Sequence, residues 1–169
     1  MAHVSLILGG ARSGKSARAL ALCAPPRVFV ATAEALDDEM ADRIAAHKAE
    51  RAGDWGLVEA PLDLAQAVVD ARPGTTLLVD CLTLWLSNLM HHERDVAAQT
   101  DSLLAALAGM EGRAVLVSNE IGMGLAPMNA LGRAFRDAQG RLNQRVAAAA
   151  DHVEFVAAGL PLVLKDGRP

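Results

Sequence analysis

A glycine-rich segment near the start of the chain constrains its fold more than any other feature. Residues 9–16 read Gly-Gly-Ala-Arg-Ser-Gly-Lys-Ser and match the pattern G-x-x-x-x-G-K-[ST] at every fixed position. The segment lies between an apolar run at residues 4–8 and a helical pattern, which is the strand-loop-helix context of a phosphate-binding loop. We therefore predict that the chain binds a nucleoside triphosphate.

The residue types in this loop suit phosphate chemistry. Gly9 and Gly14 let the backbone turn so that successive N–H groups point inward at phosphate oxygens, and the N-terminus of the next helix adds positive charge. Lys15 is expected to reach the β- and γ-phosphates, and the Ser16 hydroxyl to help hold Mg²⁺. The predicted nucleotide-binding residues of the loop are Gly9, Gly10, Ala11, Arg12, Ser13, Gly14, Lys15 and Ser16.

Short β-branched or leucine-rich runs alternate with helical patterns along the chain, which is typical of a parallel sheet built from βαβ units. The predicted strands are residues 4–8, 27–31, 76–80, 114–118, 152–156 and 162–165. The predicted helices are residues 15–23, 38–51, 62–71, 95–107 and 129–149. No repeat or linker divides the 169 residues, so we expect one α/β domain over residues 1–169, with a mostly parallel sheet flanked by helices.

Composition excludes several classes of partner. The formal net charge of −4 leaves no electrostatic footprint for nucleic acid. The longest apolar stretch, residues 77–90, is too short for a membrane span and carries Asp80 and Asn88. Cys23 and Cys81 form no pattern, which suits a reducing compartment, and the N-terminus lacks the features of a signal peptide. A cytoplasmic protein without a membrane span is expected.

A carboxylate at the end of a predicted strand is the first candidate metal ligand. Asp80 ends the apolar run at residues 76–80. In phosphate-loop enzymes an acidic group at a strand end faces Mg²⁺ directly or through water. The alternative is a helix cap, because many buried strands end in Asp for that purpose. Together with the phosphate loop, the metal-side role is favoured, and Ser16 and Asp80 are the predicted metal-side residues.

One face of the helix predicted at residues 38–51 carries Arg43, His47 and Arg51 at intervals of four. Taken alone, a lone histidine between cations is more often part of a solvated face than a group that meets phosphates. At the next strand end, the loop at residues 118–124 carries an amide, a carboxylate and two glycines. It lacks the N-K-x-D pattern with which switch-type GTPases read guanine.

Taken together, these motifs resemble the bifunctional adenosylcobinamide kinase / adenosylcobinamide-phosphate guanylyltransferase family of cobalamin biosynthesis. The resemblance extends from residue 4 to about residue 165. Besides the phosphate loop, the motifs that carry it are Ala31-Thr32, Leu36-Asp37-Asp38-Glu39-Met40, Arg43-Ile44, His47-Lys48, Arg51, Trp55, Glu59, Asn119-Glu120, Gly122-Met123-Gly124, Phe135-Arg136-Asp137, Gly140-Arg141 and Asn143-Gln144.

The resemblance implies two reactions. ATP or GTP phosphorylates the hydroxyl of the aminopropanol arm of adenosylcobinamide, and GTP then donates GMP to that phosphate, with release of pyrophosphate. The second reaction of the family passes through a GMP-histidine, which on this chain is His47. Some relatives have a second histidine directly before it, where this chain has Ala46. The resemblance thus favours a catalytic role for His47 over a place on a solvated helix face. His47 and Lys15 are the predicted catalytic residues.

The resemblance also implies further nucleotide contacts, a recombinase-like phosphate-loop fold and a homotrimer. The implied contacts are Thr32, Ala33, Glu34, Lys48, Ala49, Glu50, Arg51, Glu59 and Asp80. One departure is visible, because relatives often have Arg-Pro where this chain has Arg51-Ala52. The loop that leads to Trp55 is therefore expected to be less rigid.

Two other functions compete with this one. A phosphate-loop kinase of a small metabolite, without a guanylyltransferase step, would use Lys15 and Asp80 in the same way but would not need His47. A nucleotide-dependent switch should carry an N-K-x-D motif, and the chain has none at the expected loop.

Overall fold

The computed structural model of the chain describes residues 2–34 and 54–167. Their strands are β1 His3–Gly9, β2 Arg27–Ala31, β3 Trp55–Glu59, β4 Thr75–Asp80, β5 Gly112–Asn119, β6 His152–Ala157 and β7 Leu160–Asp166. They form one seven-stranded sheet in the order β3-β2-β4-β5-β1-β6-β7. Every neighbouring pair is parallel except β6 and β7, which form an antiparallel hairpin.

The helices of these residues are α1 Lys15–Ala21, α2 Leu64–Val69, α3 Leu82–His91, α4 Val96–Gly109 and α5 Ala130–Ala149. Side-chain caps mark the start of the two longest. The Asp95 carboxylate accepts a 3.0 Å hydrogen bond from Ala98 N at the start of α4. Asn129 accepts one of 2.6 Å from Gly132 N at the start of α5. Each cap satisfies a backbone donor that has no partner within its helix.

The central strands are buried on both faces, which explains why they read as continuous apolar runs. Successive side chains of a strand point to opposite faces. Accordingly Leu6 packs into one core cluster with Leu77 and Leu116, whereas Ile7 packs into the other with Leu78. Because both faces of the sheet are covered, the part of it that is exposed is the edge at which the strands end and the loops begin.

The sheet confirms the predicted mostly parallel α/β architecture with helices on both sides, and all six predicted strands are present within two residues of their expected bounds. Two elements were missed, strand β3 and helix α3. The helix predicted at residues 38–51 lies outside the described residues. In the two described ranges, no helix is long and apolar enough to cross a membrane.

Candidate nucleotide-binding site

Strand register brings the predicted phosphate loop and Asp80 to one edge of the sheet. Gly9, the last residue of β1, is paired with Asn119, the last residue of β5. On the other side of β5, Asp80 ends β4 and is paired with Val117. The carboxyl ends of these three adjacent strands therefore form a common edge, where open α/β sheets bind their ligands.

The phosphate loop accepts only glycine at two positions. A Cβ on Gly9 would collide with the Ser13 hydroxyl and lie 2.7 Å from the carbonyl oxygen of Val156. Gly14 has φ 94°, and a Cβ there would lie 3.0 Å from Gly159 Cα. The first and sixth residues of the motif are thus glycine because the backbone has no room and, at Gly14, because its conformation disfavours other residues.

Side chains of the loop are placed for an anion. Helix α1 begins at Lys15, whose ammonium Nζ donates a 3.0 Å hydrogen bond to the carbonyl oxygen of Gly10 and so folds back over the loop. The Ser13 hydroxyl is buried and has no hydrogen-bond partner among the described residues. An unpartnered buried donor is unusual in a folded protein, and a phosphate oxygen is a fitting partner for it.

The β6–β7 hairpin supports the loop from the side opposite β5. Gly159 N, in the turn of the hairpin, donates a 2.7 Å hydrogen bond to Ser13 O. Arg18 on α1 forms hydrogen bonds of 2.7 Å to each carboxylate oxygen of Glu154 on β6. These bonds hold the pKa of Glu154 down at about 2, against the opposing effect of burial. The sequence gives no local signal for this contact, since its partners lie far apart along the chain.

Thr32 fixes the backbone next to Asp80. Its hydroxyl donates a 2.7 Å hydrogen bond to Cys81 O and accepts one of 2.9 Å from Cys81 N, while its own carbonyl accepts from Asn88 Nδ2 at 2.7 Å. The Thr32 side chain is fully buried. Thr32 therefore has a structural role in the fold. The nucleotide contact that the sequence predicts for Thr32 stays a prediction.

The other described residues expected to touch nucleotide lie at the same edge, further from the phosphate loop. Ala31 is paired with both Glu59 on β3 and Asp80 on β4, so these residues form a row across three strands. Ala33 and Glu34 follow β2 directly, and the Glu34 carboxylate lies 3.1 Å from His92 Nε2. The row runs along the sheet edge from Asp80 to β3, and the nucleotide contacts of these residues stay predictions.

Five of the predicted site residues lie outside the described residues. They are His47, Lys48, Ala49, Glu50 and Arg51. Their roles therefore stay predictions from the sequence.

A buried polar cluster behind β5 was missed as a structural feature. The Ser118 hydroxyl donates to Asn143 Oδ1 at 2.6 Å, and Gln139 Nε2 donates to the Ser118 oxygen at 2.9 Å. Asn143 Nδ2 then donates to Asn119 O at 3.1 Å. A signal was available, because Gln139 and Asn143 stand on the same helical stripe as buried Leu142. Polar residues on such a stripe indicate a buried network.

Metal binding at this edge fits a magnesium ion that is shared with a nucleotide. Ser16 and Asp80 supply hard oxygen donors of the kind that Mg²⁺ prefers. In the described part of the chain, no group of three or more His, Cys, Asp or Glu side chains could hold a metal ion. The magnesium site at Ser16 and Asp80 stays a prediction.

Solved structures of similar fold share little sequence with this chain. A protein of Pyrococcus horikoshii OT3 matches with a TM-score of 0.59 and 8% identity, covering 98% of this chain and 87% of that one. The flagellar accessory protein FlaH from Methanocaldococcus jannaschii matches with a TM-score of 0.51 and 12% identity, covering 97% and 78%. At such identities the likeness concerns the fold alone.

Sequence relatives are far closer. The bifunctional adenosylcobalamin biosynthesis protein CobP of Pseudomonas aeruginosa is 45% identical over 170 residues, which cover 97% of this chain and 98% of the relative. The protein of the same description from Salmonella typhimurium, CobU, is 40% identical over 178 residues, covering 95% and 98%.

The family match covers almost the whole chain, from residue 5 to residue 164, and its description combines a kinase with a guanyltransferase. This supports the interpretation with both activities and not the kinase that lacks the second step. The chain is a bifunctional transferase that belongs to the cobinamide kinase / cobinamide phosphate guanyltransferase family.

Proposed function

We propose that this edge of the sheet binds ATP or GTP with Mg²⁺ and uses it on adenosylcobinamide in two steps. In the first, the γ-phosphoryl group passes to the hydroxyl of the aminopropanol arm. In the second, GTP gives GMP to the new phosphate, which yields adenosylcobinamide-GDP and pyrophosphate. The observation that carries the proposal is the glycine-only phosphate loop, with Lys15 folded over it, two strands from Asp80.

In this proposal Mg²⁺ is held by the Ser16 hydroxyl and the Asp80 carboxylate together with nucleotide phosphates. When bound, it neutralises charge that develops on the phosphates. Lys15 binds the β- and γ-phosphates, and the backbone N–H groups of the loop position them. The buried Ser13 hydroxyl donates to a phosphate oxygen, which gives it the partner it lacks among the described residues.

His47 is the proposed nucleophile of the second step. Neutral imidazole is nucleophilic near neutral pH, and its attack on the α-phosphate displaces pyrophosphate, whose charge Lys15 and Mg²⁺ offset. Lys48 and Arg51 are close to His47 in the sequence, and their proposed role is to stabilise the α-phosphate oxygens. A covalent GMP-histidine also lets pyrophosphate leave before the large acceptor is aligned.

A cytoplasmic homotrimer is the proposed state of the enzyme. Association is supported by exposed apolar side chains, since Leu125 and Met128 are each 98% exposed and Leu160 and Leu162 on β7 are 72% and 62% exposed. Apolar patches on a protein surface often mark contacts with another chain. The number three comes from the family resemblance, and the location from the nucleotide substrates and two unpaired, buried thiols.

Product analysis tests the proposed function. Purified protein with Mg²⁺, adenosylcobinamide and γ-labelled ATP should give labelled adenosylcobinamide phosphate. Addition of α-labelled GTP should then move the α-label into adenosylcobinamide-GDP, with unlabelled pyrophosphate released. Phosphorylation without the second product would leave only the kinase half of the proposal, and labelling of neither product would contradict both halves.

A further inference from the structure

One more acidic residue, to which no role has been given so far, has its backbone beside the phosphate loop. Glu120 follows β5 as the phosphate loop follows β1, and its backbone N donates a 3.0 Å hydrogen bond to Gly9 O. This bond continues the pairing of Gly9 with Asn119 beyond the last strand residues. Glu120 is therefore fixed next to the first residue of the phosphate loop, on the side that faces β4 and Asp80.

The backbone that carries Glu120 is held by partly buried hydrogen bonds on two sides. Asn119 N donates a 2.9 Å hydrogen bond to the hydroxyl of Thr83, in the first turn of α3. Asn119 O accepts from Asn143 of α5 at 3.1 Å. These contacts hold the Glu120 backbone without using the Glu120 side chain.

The Glu120 carboxylate itself is half-buried and accepts a hydrogen bond from Gly122 N in the following loop. No ion pair of Glu120 with a lysine, arginine or histidine occurs within residues 2–34 and 54–167. By contrast, Glu34 at the same edge is paired with His92, and Glu154 behind the loop is paired with Arg18. The other carboxylate oxygen of Glu120 therefore has no ion pair in the described part of the chain and can accept a proton.

The two reactions differ in their need for such a group. Phosphorylation of an alcohol requires removal of the hydroxyl proton as the oxygen bonds to the γ-phosphorus, and kinases use a carboxylate for this. In guanylyl transfer the attacking groups are a neutral imidazole and an already ionised phosphate. Neither has a hydroxyl proton to lose. A base beside the phosphate loop would therefore serve only the first reaction.

We propose that Glu120 is the general base of the kinase step, an inference that rests on the proposed function. The acceptor hydroxyl oxygen forms a bond to the γ-phosphorus while the bond from that phosphorus to the β,γ-bridging oxygen breaks. The hydroxyl proton passes to a Glu120 carboxylate oxygen, and the nucleoside diphosphate leaves with the bridging oxygen. The protonated Glu120 then returns the proton to water.

The test compares Glu120→Gln with Glu111→Gln, which removes an exposed carboxylate directly before the opposite end of β5. Each variant is assayed separately for phosphorylation of adenosylcobinamide and for GMP transfer to adenosylcobinamide phosphate supplied as substrate. Glu120→Gln should lower kcat of phosphorylation by about 10²–10⁴-fold, the usual contribution of a general base. Its KM for ATP and its rate of GMP transfer should stay within about threefold of wild type, as should both rates of Glu111→Gln.

The split between the two reactions distinguishes a base from a structural or metal-side residue. A Glu120→Gln enzyme that phosphorylates at the wild-type rate overturns the inference, and so does one that loses both reactions together. Glu120→Asp keeps a carboxylate on a shorter side chain and should recover part of the phosphorylation rate, whereas no recovery counts against a base. A wild-type enzyme that transfers GMP but phosphorylates no alcohol contradicts the kinase half of the proposed function and the inference with it.

Discussion

Arg18 and Glu154 form a bidentate ion pair in which Nε and Nη2 of the guanidinium each lie 2.7 Å from a different carboxylate oxygen. The pair joins α1, the helix that begins with Lys15, to β6. The Glu154 side chain is 1% exposed, whereas that of Arg18 is 35% exposed. The turn between β6 and β7 also donates a hydrogen bond, from Gly159 N to Ser13 O. The same contacts therefore support the phosphate loop and stabilise the fold.

Glu154→Gln should therefore destabilise the protein. The variant keeps the shape of the side chain but loses charge-assisted hydrogen bonds, and we expect the free energy of unfolding to fall by about 2 kcal/mol. Partial exposure of Arg18 limits the loss, because water can solvate the freed guanidinium. Urea denaturation followed by circular dichroism would measure it.

Asp54→Asn is the matched control for that experiment. Asp54 also accepts a 2.7 Å hydrogen bond from an arginine, Arg27 at the amino end of β2, but the Asp54 side chain is 55% exposed whereas that of Glu154 is buried. Its denaturation midpoint should remain near that of wild type. Equal losses of unfolding free energy in Glu154→Gln and Asp54→Asn would show that the contact between α1 and β6 stabilises the fold no more than the pair of Asp54 with Arg27 does.

The contribution of Glu154 should also depend on pH. Hydrogen bonds from Arg18 lower the pKa of Glu154 from its ordinary 4.5 to about 2. Since the folded-state pKa is the lower one, the stabilisation is fully present above pH 4.5 and is lost as the pH falls towards 2. His152 Nε2 also lies 2.9 Å from a Glu154 oxygen. The difference in unfolding free energy between wild type and Glu154→Gln should thus be present at pH 5 and shrink as the pH falls from 4.5 towards 2. A difference that grows in acid would contradict this assignment.

Gly14→Ala should weaken nucleotide binding. A residue with a Cβ is strained by about 1–2 kcal/mol at the φ of 94° seen here, and the added carbon would lie 3.0 Å from Gly159 Cα. Relief of that strain would move the N–H groups that the phosphates need, so we expect the Kd for GTP to rise at least about tenfold. Calorimetric titration would measure the Kd.

Gly109→Ala, at the end of α4, is the control because nothing lies within 4 Å of its Cβ position and its φ is not positive. It should bind GTP as wild type does. If Gly14→Ala also binds normally, the glycine-only geometry of the phosphate loop is not what the ligand requires.

Lys15→Met should impair both reactions, in contrast to the change at Glu120. The ammonium is expected to bind phosphates that carry charge in each transition state, and loss of one such donor typically costs about 10²–10³-fold in kcat. In the structure Lys15 is half-exposed and its Nζ donates only to Gly10 O among the described residues, so the thermal midpoint should change little. A Lys15→Met enzyme that loses phosphorylation but keeps GMP transfer would contradict the prediction that both reactions use the same phosphate-binding site.

The parallel sheet was predictable because its central strands alternate with helices and are marked by apolar runs. Strand β3 was missed because Trp55–Glu59 contains a glycine and exposes most of its side chains at the sheet edge, which leaves no run to detect. Helix α3 was missed for the opposite reason. It follows β4 after only Cys81, so strand and helix merge in the sequence into one apolar stretch without Gly or Pro.

The candidate site likewise has features that local patterns predict and features that depend on the whole fold. The loop between β1 and α1 and the position of Asp80 at the end of β4 were predictable because local patterns encode them, while their nucleotide and metal roles stay predictions. The contacts that support them were not, because Thr32 to Cys81 and Arg18 to Glu154 join residues 49 and 136 positions apart. No spacing rule in a single sequence connects such partners, and the sheet order that brings them together is a property of the whole fold.

The most direct test of the account is covalent labelling by GTP. The protein is incubated with Mg²⁺ and GTP labelled at either the α- or the γ-phosphate, denatured, and exposed to acid or base. His91→Ala, in the exposed last residue of α3, serves as the control for His47→Ala. We predict protein-bound label from the α-position only, labile in acid and stable in base, present in His91→Ala and absent in His47→Ala. Absence of α-label from folded wild-type protein that binds GTP, or its persistence in His47→Ala, would contradict the GMP-histidine mechanism.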